Sequence, residues 1–215
     1  LVGGDWQGSN GVRQAITTSL EAGATVDAGQ GGKVVLWSDI TNADSVTTVA
    51  GTVRALGGRI ETSGNLLELP GLVQAGAGGT WLIDPTNVTI TTTSTTGTLP
   101  GDLANAGITN IRASDLQAAL SAGTSVTVYA SGTIIVSTAL TITNNSSNAA
   151  ILTLDSTASA PTGGTAGTNT SAVSVNAAIT ATGTGLTGLR IRTKGAPIST
   201  SAGISLTGLI DFDNT

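Results

Sequence analysis

Asp211 and Asp213 stand two residues apart near the end of the chain, on one face of an extended segment, and Arg190 and Arg192 repeat that spacing earlier. Two carboxylates beside two guanidinium groups is the composition that a polysaccharide lyase or hydrolase needs, because acid–base work on a glycosidic bond requires paired carboxyls and a cation to hold an acidic sugar. Charges solvated on an outward face account for the same four residues with fewer assumptions. Asp39, Asp44 and Asp84 lie beside turn sequences, where a carboxylate oxygen ordinarily accepts nearby backbone N–H groups. Calcium at such turns would call for a regular Asp repeat, and none is present. His and Cys are both absent, which removes the commonest general base, the commonest metal ligands and every disulfide. We therefore assign no catalytic, cofactor-binding or metal-ligating residue and expect no cofactor and no enzymatic activity.

Other patterns read as structure. Lys33 follows Gly31-Gly32 but enters an extended run, and no Gly-x4-Gly-Lys-Ser/Thr occurs, so the glycines mark turns rather than a phosphate loop. Asn87, Asn144, Asn145 and Asn169 each begin an Asn-x-Ser/Thr triplet, as chance produces in a chain this rich in Ser and Thr. Thr alternates in Val88 to Thr93 and in Ser125 to Val128. A regular Thr ladder could order water as an ice-binding face does, but irregular spacing favours Thr as a strand former at outward positions. Trp6, Trp37 and Trp81 fall in three successive similar units and are expected to wedge corners or stack inside; one exposed beside a groove would suggest carbohydrate contact.

The elements that must position these residues follow from composition. The chain has 215 residues, with 30 Gly, 2% aromatic, 10% charged and 39% hydrophobic residues. Mean hydropathy is +0.27, too apolar for simple disorder, yet there is little bulk for a globular core. Small and β-branched side chains suit a narrow core stacked in layers. The net charge of −5 and eight scattered cations leave no basic stripe for nucleic acid. No apolar run approaches the roughly 18 residues of a membrane helix, and no charged segment with a following apolar run marks a signal peptide. A start at Leu1 without any Met leads us to expect a segment of a longer protein.

Along the chain, a turn-rich start precedes short extended runs at Ala24–Ala28, Lys33–Trp37, Ser45–Val49, Thr52–Leu56, Arg59–Thr62 and Leu66–Leu69, separated by Gly-rich turns. The stretch Gly78 to Ile90 holds Trp81, an Asp84-Pro85 turn and a strand at Asn87–Thr91. A helix is expected over 114–122, with Ser114 as N-cap, Gln117 as its capping-box partner, Gly123 as the stop, and Leu116, Ala119 and Leu120 on one apolar face. Strands resume at Ser125–Tyr129, Thr133–Ser137, Leu140–Thr143, Ile151–Leu154, Val173–Val175, Ala178–Thr180, Leu189–Arg192 and Ile204–Leu206. Residues 155–170 are polar and aperiodic, and are expected to loop out from the body. The pattern predicts an all-β chain: one right-handed parallel β-helix over residues 1–215, three short faces per coil, about 20 to 25 residues per coil and roughly 40 to 50 Å of rod at about 4.8 Å per coil. An uncovered end would offer backbone groups for end-to-end pairing.

Gly4-Asp5-Trp6-Gln7-Gly8, Gly31 to Asp39 (Gly-Gly-Lys-Val-Val-Leu-Trp-Ser-Asp), Gly58 to Gly64 with its Ile-Glu-Thr-Ser-Gly, and Gly78 to Ile90 together resemble the filamentous haemagglutinin-like family of large exported adhesins, the secreted partners of two-partner secretion systems in Gram-negative bacteria. These residues span the first ninety positions, and the Ser114 to Thr127 segment resembles a recurrent element of the same proteins. The resemblance implies a β-helix shaft, secretion to the cell surface or the extracellular space, and passage through an outer-membrane β-barrel transporter. The family's secretion domain carries Asn-Pro-Asn motifs not found here, so the transporter would be engaged by a part of the protein outside this chain. The expected role is a stiff rod for adhesion or for matrix and biofilm assembly, with lateral or end-to-end self-association; the alternative is a polysaccharide-acting, carbohydrate-binding or ice-binding β-helix.

Overall fold

The computed structural model describes residues 1–97, 107–157 and 172–214. The described residues form a parallel β-helix of seven coils. Coil one holds β1 (Thr17–Leu20), β2 (Thr25–Asp27) and β3 (Lys33–Trp37); coil two β4 (Val46–Val49), β5 (Thr52–Arg54) and β6 (Arg59–Ser63); coil three β7 (Leu66–Glu68), β8 (Leu72–Gln74) and β9 (Thr80–Asp84). Coil four departs from the pattern with β10 (Asn87–Thr91), β11 (Ile108–Arg112), the helix α1 (Ala113–Ser121) and β12 (Ser125–Tyr129). Coil five holds β13 (Ile134–Val136), β14 (Leu140–Thr143) and β15 (Ala150–Asp155); coil six β16 (Val173–Val175), β17 (Ile179–Thr182) and β18 (Thr187–Arg192); coil seven β19 (Ile198–Thr200), β20 (Ile204–Ser205) and β21 (Ile210–Asp213).

One face is a single seven-stranded parallel sheet, β3-β6-β9-β12-β15-β18-β21, with one strand from every coil. The other two faces change at coil four: β1-β4-β7 and β2-β5-β8 serve the first three coils, and β11-β10-β13-β16-β19 and β14-β17-β20 serve the rest. In the continuous sheet the register advances 26 residues from Lys33 to Arg59 and 21 from Arg59 to Thr80. It then advances 45 from Thr80 to Ser125, 26 from Val126 to Leu152, 37 from Ala150 to Thr187 and 21 from Leu189 to Ile210. The short steps match the expected period. The step of 45 contains β11 and α1, and the step of 37 contains the polar stretch expected to loop out, which from residue 158 lies outside the described residues. Its predicted start is displaced, because β15 runs to Asp155 and Ser156 is fully buried. Seven strands span six gaps, about 29 Å at about 4.8 Å each, which is shorter than the 40 to 50 Å expected. The two long coils consume chain without adding rungs to this sheet.

Two inward columns run through all seven coils. Val34, Ile60, Trp81, Val126, Leu152, Leu189 and Ile210 are successive register partners, and so are Leu36, Thr62, Ile83, Val128, Leu154, Ile191 and Phe212. Period-2 alternation puts the side chains of β3 to β18 inside, whereas Ile210 and Phe212 on β21, with no further described strand beyond them, are exposed; stacking similar residues on like residues lets a narrow core exclude water without large aromatics. Trp81 is the exception in size; its indole N–H donates to Thr62 Oγ1 at 3.1 Å, so the one polar atom it brings inside is satisfied.

The helix takes the place of a strand. It packs between β8 and β14, with Leu116, Ala119 and Leu120 buried as expected. Its two ends differ from one another in how well the sequence foretold them. Gly123 (φ 79°) stops it, with its N–H donating to Leu120 O at 3.0 Å. The predicted capping box does not form: the helix starts at Ala113 directly out of β11, Arg112 occupies the cap position, and no side chain caps the N-terminus. Gln117 is used elsewhere, accepting the Thr141 N–H at 2.7 Å, while Ser121 Oγ accepts the Thr143 N–H at 3.0 Å. The helix thus supplies side-chain acceptors to the edge of β14 that a strand would have paired through its backbone.

Candidate functional site

Beyond the outward row Lys33, Arg59, Thr80 and Ser125, outward residues of the continuous sheet form two further rows. One is Val35, Glu61, Leu82, Thr127, Thr153, Arg190 and Asp211; the other is Trp37, Ser63 and Asp84, followed by Tyr129, Asp155, Arg192 and Asp213. In the first coils these positions are covered. Val2 pairs with the edge of β3, its N–H donating to Val35 O and its carbonyl accepting from Trp37 N–H. The following residues fold back across the sheet as a strap. Trp37, 1% exposed, lies under it, its indole N–H donating to Gln14 Oε1 at 2.8 Å. A Cβ at Gly4 would stand 2.4 Å from Trp37 Cδ1, and one at Gly8 2.9 Å from Trp37 Cζ2, so both glycines of Gly-Asp-Trp-Gln-Gly are required by the indole beneath them.

Gln7, in the left-handed region at φ 48°, turns its N–H onto Glu61, 3.1 Å from each carboxylate oxygen. Ser63 Oγ donates to the same carboxylate at 2.9 Å. Glu61 is fully buried, and burial pushes its pKa up to about 7 even though the Gln7 and Ser63 bonds act to lower it. Asp84, 3% exposed and diagonally placed on the next strand, is raised well above the usual carboxylate range by burial and then by the charge of Glu61. Sequence reasoning placed Asp84 as a turn carboxylate accepting backbone N–H groups; it sits instead on the covered face of the sheet. Asp39 does fill that role, accepting from Thr41 N–H at 3.0 Å, whereas at Asp44 the bond runs from its own N–H to Asn42 Oδ1. Asp5 is held below its ordinary value by Asn10 and by the Trp6 N–H, and it pairs with Lys33 at 3.4 Å. The two buried carboxyls can take up a proton, but the strap seals Glu61 from any substrate.

Beside the strap, an open groove of about 290 Å³ is lined by Trp6, Gln7, Arg59, Thr80, Leu82 and Thr127, with Trp81 behind. Trp81 stacks inside as expected, Trp37 is buried on the outward side by the strap rather than inside the coil, and Trp6 is only partly covered and borders this groove. Farther along, the expected carboxylate and guanidinium residues meet as cross-strand partners, Arg190 with Asp211 and Arg192 with Asp213. Arg190 Nε lies 3.1 Å from Asp211 Oδ2, with both side chains about two-fifths exposed. They border a largely apolar groove of about 170 Å³ lined also by Ile151, Leu186 and Leu209, where they are paired with each other rather than standing as a free acid and base.

The Asn-x-Ser/Thr triplets are largely engaged in structure. Asn144 is fully buried and donates to Asn148 O and Leu186 O, and Asn87 donates to Gly107 O while accepting from Thr133 N–H; Asn169 lies outside the described residues. The outward Thr ranks on β14 and β17, Thr141 with Thr180 and Thr143 with Thr182, are two residues wide. Among the described residues no group of three or more His, Cys, Asp or Glu is placed to hold a metal ion, and no helix is long and apolar enough to cross a membrane.

No protein-family model and no curated protein matches this chain. Its functional reading therefore rests on the architecture and on the way its sequence segments meet within it.

Proposed function

We propose that this chain is a structural, non-enzymatic segment of a secreted adhesin or extracellular filament at the surface of a Gram-negative bacterium, giving a stiff rod for adhesion or for matrix and biofilm assembly. The observation that carries the reading is the unbroken seven-stranded sheet with its two continuous inward columns. Each coil rests on its neighbours through backbone hydrogen bonds and like-on-like packing, so bending the shaft would require breaking several of these at once.

Further support comes from the four segments that resemble filamentous haemagglutinin-like adhesins, because they interlock. Gly4 to Gly8 lies over Trp37 of the Lys33 to Asp39 segment and over Glu61 of the Ile-Glu-Thr-Ser-Gly segment, and Asp84 of the Gly78 to Ile90 segment faces Glu61. A shared packing unit is a physical reason for these residue types to occur together. Export through a two-partner outer-membrane transporter, engaged by a region outside this chain, fits a sequence without Cys, since no thiol can mispair before folding outside the cell. Small-angle scattering of the purified chain tests the rod: an elongated pair-distance distribution is expected, and a symmetric distribution of a near-spherical particle would overturn it.

A further inference from the structure

The groove beside the strap has a composition unlike the rest of the surface. Its floor is the outward face of β6, β9 and β12, contributing Arg59, Thr80, Leu82 and Thr127, and its wall is Trp6 and Gln7. In an acidic chain most cations near a carboxylate are neutralised: Lys33 by Asp5, Arg54 by Asp27, Arg112 by Asp115 and Arg190 by Asp211. Arg59 is exposed and has no carboxylate within ion-pair distance among the described residues. Glu61, two residues along the same strand and on the same outward face, is engaged by Gln7 and Ser63 under the strap and makes no ion pair with Arg59. The groove therefore offers one free guanidinium, a partly exposed indole, an apolar floor at Leu82, two Thr hydroxyls and the Gln7 amide.

We infer that this groove binds a short saccharide carrying a carboxylate, with the apolar face of a pyranose ring against Trp6, the carboxylate on Arg59, and ring hydroxyls on Thr80, Thr127 and Gln7. Each part answers to one feature of such a ligand. Aromatic side chains supply flat apolar area with a polar edge, the guanidinium fork matches a carboxylate, and the hydroxyls serve a polyol. A volume of about 290 Å³ lies at the small end of ligand sites, which run from about 300 to 1,000 Å³, and so suits one or two rings. A peptide strand is disfavoured because β6, β9 and β12 are already paired on both sides and offer no edge to extend. A polyanion such as nucleic acid is disfavoured by the net charge of −5. The inference does not depend on the rod reading, since a short or a long shaft carries the same groove.

Digalacturonate, its neutral dimethyl ester and sodium acetate serve as probes, followed by calorimetry and by the Trp6 indole resonance. Saturable binding of digalacturonate with a shift at Trp6 is expected, together with no saturation by the ester or by acetate. Arg59→Gln, at an exposed position that leaves the strap untouched, should weaken binding at least about ten-fold, or about 1.4 kcal/mol. Thr127→Val tests the floor without altering charge and should weaken it less. Absence of a Trp6 shift, or binding unchanged in Arg59→Gln, would overturn the assignment; equal binding of acetate would reduce the groove to a simple anion site and overturn its saccharide part.

Discussion

The first three coils and the last three share a core and differ in what lies outside it. Along one outward row, Val35 and Glu61 are fully buried and Leu82 nearly so, whereas Thr127, Thr153, Arg190 and Asp211 are all partly exposed. The side chains follow the cover: an aliphatic residue, a carboxyl of raised pKa and a Trp in the neighbouring row lie under the strap, while the cross-strand ion pair of Arg190 with Asp211 stands where there is none. A parallel sheet covered on both sides reads as a continuous apolar run and one covered on a single side alternates, and this molecule contains both conditions in a single sheet. The inward columns make the shaft, and the strap makes its first half a three-layer structure with a second, smaller core around Trp37.

This contrast can be broken most strongly at Trp37. Trp37→Ala should cost about 3–5 kcal/mol and release the strap, whereas Thr153→Ala, outward on β15, should change stability by no more than about 0.5 kcal/mol; urea unfolding of the two variants checks both. Glu61→Gln should act with the opposite sign. Because the folded pKa of Glu61, about 7, exceeds its ordinary value of 4.5, the stability associated with this group is fully present below about pH 4.5 and is lost as pH rises through 7. The glutamine variant should therefore be more stable than the parent at pH 8, by up to about 3 kcal/mol, and nearly equal to it at pH 4, as thermal melts at the two pH values would show. Asp84 shifts in the same direction and would extend the loss of stability in the parent to higher pH.

Smaller effects sharpen the boundary between the halves. Gln117→Ala removes the acceptor of the Thr141 N–H and should cost about 1 kcal/mol, with faster amide exchange at Thr141 as its local signature. Asp211→Asn breaks a half-exposed ion pair and should cost no more than about 0.5 kcal/mol, less at high salt.

The inward columns were legible because alternation and β-branched residues mark them. Lys33–Trp37, Asn87–Thr91, Ser125–Tyr129 and Leu140–Thr143 have the bounds the sequence predicts. The strands β8, β11 and β19 were not foreseen: β8 and β19 are three residues long and half-exposed, and β11 arises by tertiary pairing with β10 rather than from its own pattern. The apolar face of α1 was legible at i, i+3 and i+4, but its start was not, because tertiary context assigned Gln117 to a strand edge. The strap read only as a turn-rich opening. A signal for it existed in the unbroken apolar run Val34 to Trp37 and in Glu61 between Ile60 and Thr62, since a two-sided apolar strand and a carboxyl set within a strand both ask what covers them.

The joint between the two halves is where the central claim stands most exposed, for there the continuous sheet must pass from β9 to β12 across 45 residues that contain the helix. Thr80 and Ser125 are register partners on its outward side, and the chain has no Cys of its own. Neighbouring parallel strands place partner Cα atoms about 4.8 Å apart, within the range a disulfide spans. The double variant Thr80→Cys with Ser125→Cys should oxidise in air to an intramolecular disulfide, while Thr80→Cys with Tyr129→Cys, four residues out of register, should not. Failure of the in-register pair to close, or equal closure of both pairs, would contradict a single sheet running through all seven coils.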